Sequence, residues 1–235
     1  MHTAVIAGVG PGLGASLARR FAEEGCEVGL LARSESFLTD LADDISEYTP
    51  GNAFAVPADV SDRRAVADAF ESVREAFGPG EILVNHASAA PWSGVDVDPA
   101  AFERAMAVGP TGSLHCTQAA VEDMRAAGGG TVIFTGATSA VRGRDGALAF
   151  SAAKFACRGM AESLARELGP EGIHVAHVVI DGQILIPEIE AADHDRADEE
   201  FLDPGAIADT YWHLIEQDRS SWSLEVDVRP HVEDF

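Results

Sequence analysis

Residues 3–14, Thr3-Ala4-Val5-Ile6-Ala7-Gly8-Val9-Gly10-Pro11-Gly12-Leu13-Gly14, decide how the rest of the chain is read. Five strand-compatible residues run into a turn holding four glycines. Leu13, Leu17 and Phe21 then recur every four residues, the spacing of one helix face. Glycine lets the backbone turn tightly and approach a bulky anion without a Cβ in the way. The helix that follows points free N–H groups and the positive end of its dipole at the same spot. A glycine-rich turn between a first strand and a first helix is therefore a phosphate cradle, provided the rest of the chain alternates strand and helix.

The alternation continues. Apolar runs suited to strands are Thr3–Ala7, Glu27–Ala32, Ala53–Pro57, Ile82–Asn85, Thr131–Thr135, His174–Ile180 and Ser223–Val228. Most are apolar throughout, as parallel strands covered on both faces must be. Val66, Phe70, Val73 and Phe77 mark an amphipathic helix. Longer helical stretches run from Pro99 to Ala127, interrupted near Gly109–Pro110, and from Phe150 to Leu168. Ile207, Tyr211 and Leu214 mark a last one. The pattern predicts an α/β fold: a single doubly wound parallel sheet of seven strands, helices on both faces and right-handed crossovers. No composition break divides the chain, so one domain over residues 1–235 is expected. Gln183–Asp203 is the least regular stretch, rich in Asp, Glu and Ala. It follows the C-terminal end of a strand, where such sheets bind ligands, and reads either as a substrate lid or as a solvated surface loop.

Composition narrows the partners. The 235 residues are 46% hydrophobic and carry a formal net charge of −23. That charge excludes nucleic acid and anionic membrane surfaces as partners. No apolar run approaches the roughly 18 residues of a membrane span. The first strand begins almost at once, which leaves no room for a signal peptide, so a cytoplasmic location is expected. Fifteen arginines stand against a single lysine, Lys154. An acidic, lysine-poor composition suits a salty cytoplasm, where repulsion is screened, and a halophilic source is the expectation. Cys26, Cys116 and Cys157 form no C-x-x-C pair and read as reduced, packed thiols. His194 between Asp193 and Asp195 lacks metal-ligand spacing, so no metal is expected.

Several further stretches share one pattern. Asp59-Val60-Ser61, Asn85-His86-Ala87-Ser88, Phe150-Ser151-Ala152-Ala153-Lys154, Arg166-Glu167-Leu168-Gly169 with Gly172-Ile173-His174-Val175, and Trp222 to Pro230 follow the glycine turn in order. Together they resemble the short-chain dehydrogenase/reductase family. The turn matches T-G-x-x-x-G-x-G, and the later stretches match D-V-[ST], N-N-A-G, Y-x-A-S-K, the run from the fifth helix into the sixth strand, and the closing R-P. The resemblance spans essentially the whole chain and implies a Rossmann-type sheet with a nicotinamide cofactor. By position, the cofactor residues are Gly8, Gly12, Leu13, Gly14, Arg33, Ser34, Asp59, Val60, Asn85, His86, Ala87, Lys154, Gly182 and Ile184. An acidic residue at the end of the second strand would hold the ribose 2′-hydroxyl of NAD. Ala32-Arg33-Ser34 stands there instead. Arg33 suits a 2′-phosphate, so NADP(H) is favoured over NAD(H); a solvent-facing arginine is the plain alternative.

The resemblance also implies a catalytic set: tyrosine as acid/base, lysine beside it, a serine for the substrate oxygen and an asparagine in a proton relay. Residue by residue these are Phe150, Lys154, Ala137 and Gly109, and only Lys154 is retained. Asp181-Gly182 replaces the usual P-G, and Ile186 replaces a threonine that helps hold the cofactor. Phenylalanine has no proton to give. Losing a positioned general acid costs about 10²–10⁴ in rate. Losing an oxyanion donor costs about 10²–10³, and such penalties do not simply multiply. The expectation is an NADP(H)-binding protein without standard carbonyl or alcohol hydride transfer. Its rivals are an active oxidoreductase with another proton donor, and a structural or regulatory subunit that no longer uses cofactor. Thr138, Ser139 and Ser151 offer hydroxyls of high pKa, and His86 offers an imidazole. Arg142 and Arg144, near the pocket mouth, either bind an anionic small molecule or are solvated charges. A homodimer or homotetramer is implied through the fourth and fifth helical stretches. The latter carries Ala156, Gly159, Ala161 and Ala165, small residues that suit close packing between chains or, equally, inside one.

Overall fold

A computed structural model describes residues 2–186 and 197–232. Strands β1 (Thr3–Ala7), β2 (Glu27–Ala32), β3 (Asn52–Pro57), β4 (Ile82–Asn85), β5 (Gly130–Thr135), β6 (Ile173–Ile180) and β9 (Glu225–Val228) form one sheet in the order β3-β2-β1-β4-β5-β6-β9. Every pairing is parallel, with Val5 opposite Gly29 on one side and Leu83 on the other. The chain winds outward from β1 in one direction through β2 and β3, then in the other from β4. The strand order thus reverses between β1 and β4, and their C-terminal ends open the crevice in which such sheets bind ligands.

The alternation along β1 builds two cores. Ala4 and Ile6 face α1 (Leu13–Glu23), α2 (Glu35–Tyr48) and α7 (Pro204–Ile215), joined by Leu17, Phe21, Leu38, Ile45 and Tyr211. Val5 and Ala7 face α3 (Arg63–Phe77), α5 (Gly112–Ala127) and α6 (Leu148–Leu168), with Val66, Phe70, Met124 and Cys157. Asp62 caps α3 and Asp203 caps α7, each accepting from first-turn amides. All three cysteines are buried and unbridged. No described helix is long and apolar enough to cross a membrane.

Three elements differ from the sequence expectation. First, α2 is not announced by a strong repeat, because Leu38, Leu41, Ala42 and Ile45 bury only a narrow stripe of an otherwise charged helix. Second, the interruption at Gly109–Pro110 is no break. α4 (Pro99–Met106) runs through a π-helical turn, Ala107–Thr111, directly into α5. Pro110 lacks an N–H and crowds the preceding turn, and widening to π geometry accommodates it. Third, Gln183–Asp203 is not simply a loop. β7 (Gln183–Ile184) and β8 (Phe201–Leu202) pair as a separate two-stranded parallel sheet. Residues 187–196, including the His194 cluster, lie outside the described residues.

Candidate functional site

Two joined clefts open along the C-terminal edge of the sheet. The first, of about 530 Å³, runs from Arg33 and Ser34 past Asp59 and Val60 to His86 and Ala87. The second, of about 400 Å³, runs from the glycine turn to Thr138, Phe150, Lys154 and Ile184. Gly8, Gly10, His86 and Ser88 line both. The glycines differ in what they do. Gly8 has φ +111°, and a Cβ there would lie 2.3 Å from the Ala87 amide nitrogen, so the ends of β1 and β4 meet backbone to backbone. At Gly14 a Cβ would lie 2.9 Å from Val9 Cα, so α1 packs directly on the turn. Around Gly10 there is open space. Ala15 and Ser16 N–H donate back to Gly10 and Gly12. Among the described residues, the Leu13 and Gly14 amides take no backbone partner in the turn and remain at the positive end of α1. This uncapped cradle with clear space above Gly10 fits a pyrophosphate.

At the first cleft's far end Arg33 is exposed with no ion-pair partner among the described residues. Asp59 is engaged within the protein. It accepts from the Ser61 amide and hydroxyl and pairs with Arg104 at 3.1 Å, and the Ser61 hydroxyl above all holds its carboxyl below the usual range. Arg104, a second cation lining this cleft, was not singled out from the sequence. It lies on the outer face of α4, and only folding brings it to Asp59. Asn85 sits under the floor, its amide donating to Thr117 Oγ1 at 3.1 Å.

The second cleft gathers the remaining positions. Lys154 is 6% exposed; its Nζ donates to the Thr135 carbonyl at 2.7 Å and stands 5.5 Å from the Phe150 ring centroid. Burial lowers its pKa, and no carboxylate contributes to it. Phe150 is tilted against Trp92, with centroids 5.7 Å apart. Ala137 lines the cleft beside Thr138 and Ser139. The Ser139 hydroxyl is buried with no hydrogen-bond partner among the described residues. Ser151 is spent on the backbone, accepting from the Arg144 amide. Gly109 lies in the π turn, outside both clefts, 3.3 Å from Ala153 by its would-be Cβ. His86 lines both clefts with its Nδ1 turned inward, 3.1 Å from Thr135 Oγ1, which in turn meets the Tyr211 hydroxyl at 2.8 Å. Desolvation first, and then the Lys154 charge, push the His86 ring down to about 4, so it is neutral at ordinary pH. The chain's two tyrosines, Tyr48 on the surface and Tyr211 in the core, are both absent from the cleft lining.

Arg142 and Arg144 have separate fates. Arg142 is half exposed to solvent but engaged within the protein: it donates to both oxygens of Asp181 at 2.9 and 2.7 Å. Asp181 is 2% exposed, with Arg229 at 3.4 Å as a further cation. Burial would raise the Asp181 carboxyl, but a hydrogen bond from Thr138 and the two arginines hold it below its usual range. Arg144 stays at the mouth, its guanidinium 5.9 Å from the Trp92 centroid. Gly182 and Ile184 line the cleft, and Ile186 packs on the turn, its Cγ2 2.5 Å from a would-be Gly12 Cβ. Among the described residues, no group of three or more His, Cys, Asp or Glu side chains is arranged to hold a metal.

Comparison with known proteins agrees with this fold. The family described as short chain dehydrogenase matches residues 2–184. An uncharacterized short-chain type dehydrogenase/reductase of Sinorhizobium fredii is 35% identical over 178 residues, 74% of this chain and 70% of that protein. An uncharacterized oxidoreductase of Staphylococcus saprophyticus is 29% identical across 97% of this chain and 96% of its own. Among solved structures, L-sorbose reductase from Gluconobacter frateurii, complexed with NADPH and L-sorbose, aligns with TM-score 0.89 at 25% identity, covering 97% of this chain and 95% of that one. The alcohol dehydrogenase of the archaeon Thermococcus sibiricus, complexed with 5-hydroxy-NADP, has the same fold with TM-score 0.89 at 21% identity, covering 100% of this chain and 98% of that one. With the sheet order, the glycine turn and the family match in accord, the chain belongs to the short-chain dehydrogenase family.

Proposed function

We propose that this chain binds NADP(H) along the joined clefts and does not carry out hydride transfer by the family's standard proton-coupled route. The observation that carries the reading is that no phenol lines the cleft: a phenyl ring, Phe150, stands against the only lysine. Gly8, Gly12, Leu13 and Gly14 would cradle the pyrophosphate, Arg33 and Ser34 the 2′-phosphate, Asp59 and Val60 the adenine side, His86 and Ala87 the middle, and Lys154, Gly182 and Ile184 the nicotinamide side. Asn85 acts from beneath by fixing the end of β4. Bound cofactor supplies the hydride donor or acceptor. Among the described residues, the cleft supplies no acid of suitable pKa to the substrate oxygen, since Lys154 is committed to Thr135 and His86 is neutral. The structural resemblance to L-sorbose reductase, which was solved with NADPH, supports the cofactor assignment.

A second reading, an active oxidoreductase with an unusual donor, draws support from the unpartnered Ser139 hydroxyl. Phe150→Tyr separates the two. Under the first reading the wild type oxidises NADPH no faster than background with aldehydes, ketones and quinones, and the phenol raises turnover by at least tenfold on one of them. A wild type that already turns over, and that Ser139→Ala disables, establishes the second. We assign self-association to the α5 and α6 faces, where Leu114 and Phe155 are exposed and Gly159 opens outward; Ala161, by contrast, is buried within the monomer.

A further inference from the structure

The second cleft has a charge pattern at odds with the rest of the molecule. The chain carries 39 Asp and Glu. None is among the described residues lining this cleft, which contribute two cations, Lys154 and Arg144. Most described arginines are paired with carboxylates, Arg142 among them. Arg144 has no carboxylate partner among the described residues. In so acidic a protein, an unneutralised guanidinium at a cavity mouth marks a place where an anion is welcome.

The placement of Arg144 is built. Its amide donates to Ser151 Oγ on the first turn of α6, at 3.4 Å. The Trp92 segment is tied to the same turn, the Leu148 amide donating to the Ser93 carbonyl at 3.1 Å. α6 begins without a side-chain cap, so its positive end adds to the field there. Arg144, Trp92, Phe150 and Lys154 form a ladder of cation, ring, ring and cation with steps of 5.9, 5.7 and 5.5 Å. Trp92 is 65% exposed, a large flat apolar surface with no burial to justify it.

We propose that the small molecule taken beside the cofactor is a flat monoanion, an aromatic or conjugated ring bearing a carboxylate. The carboxylate pairs with the Arg144 guanidinium, and the ring lies against Trp92 and Phe150. This names the ligand class of the site assigned above, and rests on that reading in treating this cleft as the substrate side. Planar bidentate pairing is what guanidinium does best, and the apolar ring contact supplies the remaining affinity.

The test is a ligand-observed NMR titration with benzoate and with its neutral analogue methyl benzoate, at saturating NADP⁺. Benzoate is expected to bind at least about tenfold more tightly than the ester, as a charge-assisted pair requires. Arg144→Gln should bring benzoate down to the ester's affinity. Trp92→Ala should weaken both, and Arg63→Gln, a surface arginine on α3, should change neither. Equal affinity for acid and ester, no binding of either, no effect of Arg144→Gln, or displacement of benzoate by NADP⁺ would each overturn the proposal. NADP⁺ binding is titrated separately. If NADP⁺ does not bind but benzoate does, with the same dependence on Arg144, the cofactor reading fails and the anion site stands.

Discussion

Phe150 and Asp181 stand in opposite relations to charge. Phe150 offers Lys154 a ring at cation–π distance but no ionisable group. Asp181 adds a charge at a buried position, and Arg142 and Arg229 have come in to neutralise it. That pairing was invisible in the sequence, since Arg142 and Asp181 are far apart along the chain and meet only when β6 ends beside the loop after β5. Ser139 could be picked out as a hydroxyl near the tetrad, but its missing partner is a fact of packing. Trp92 lies in a stretch without periodicity and carried no signal at all. At this scale the account predicts that Arg142→Ala destabilises the protein by roughly 1.5–3 kcal/mol, because it strips a charge-assisted hydrogen bond from a buried carboxylate. Arg229 limits the loss. Urea unfolding of the variant checks it, and a shift smaller than a few tenths of a kcal/mol means that the pair is not formed.

The five inner strands were legible because burial on both faces forced apolar runs, and the edge strands β3 and β9, only partly covered, because apolar residues still recur along them; all seven differ from expectation only at their ends. The helices were readable where a wide stripe is buried, as on α3, and not on α2, whose stripe is narrow. Gly109–Pro110 looked like a break because sequence cannot distinguish a helix that stops at proline from one that widens around it. The glycine turn was legible as a motif, but not which glycine serves folding and which serves binding. The contacts give Gly8 a folding role, and a binding role for Gly10 belongs to the proposed cofactor site. Gly8→Ala should destabilise the fold by at least about 1–3 kcal/mol, the cost of a strained backbone, before the clash with Ala87 is added. Gly10→Ala meets no atom within 4 Å and should leave the melting temperature almost unchanged while weakening NADPH binding, since its methyl projects over the cradle. Thermal melts and NADPH titrations on the two variants check both, and equal loss of stability in the pair would refute the division of labour.

Over the whole molecule, the charge of −23 and the buried histidines set the response to solution conditions. Salt screens the repulsion among the carboxylates, so the melting temperature should rise from low to molar salt; a flat response contradicts the halophilic reading. In molar salt the histidines become visible. His86 is held near 4, and burial lowers His177, against the opposing pull of Glu225. Both fold with pKa values below the unfolded value near 6.5. The unfolded chain therefore binds more protons in the window below 6.5, and stability falls as pH drops through it. A drop of several degrees between pH 7 and pH 5 is expected, and a melting temperature that rises on acidification in molar salt would show that these rings are not held neutral as described. The central claim concerns the groove as a whole, Arg33 at one end and Lys154 at the other, which we propose is a cofactor site without a tyrosine in it. Its most direct test is a fluorescence titration of the purified chain with NADPH and NADH. The account predicts saturable binding of NADPH, weaker binding of NADH, and loss of that preference in Arg33→Ala. No saturable signal with either nucleotide would contradict it and leave a structural subunit in its place.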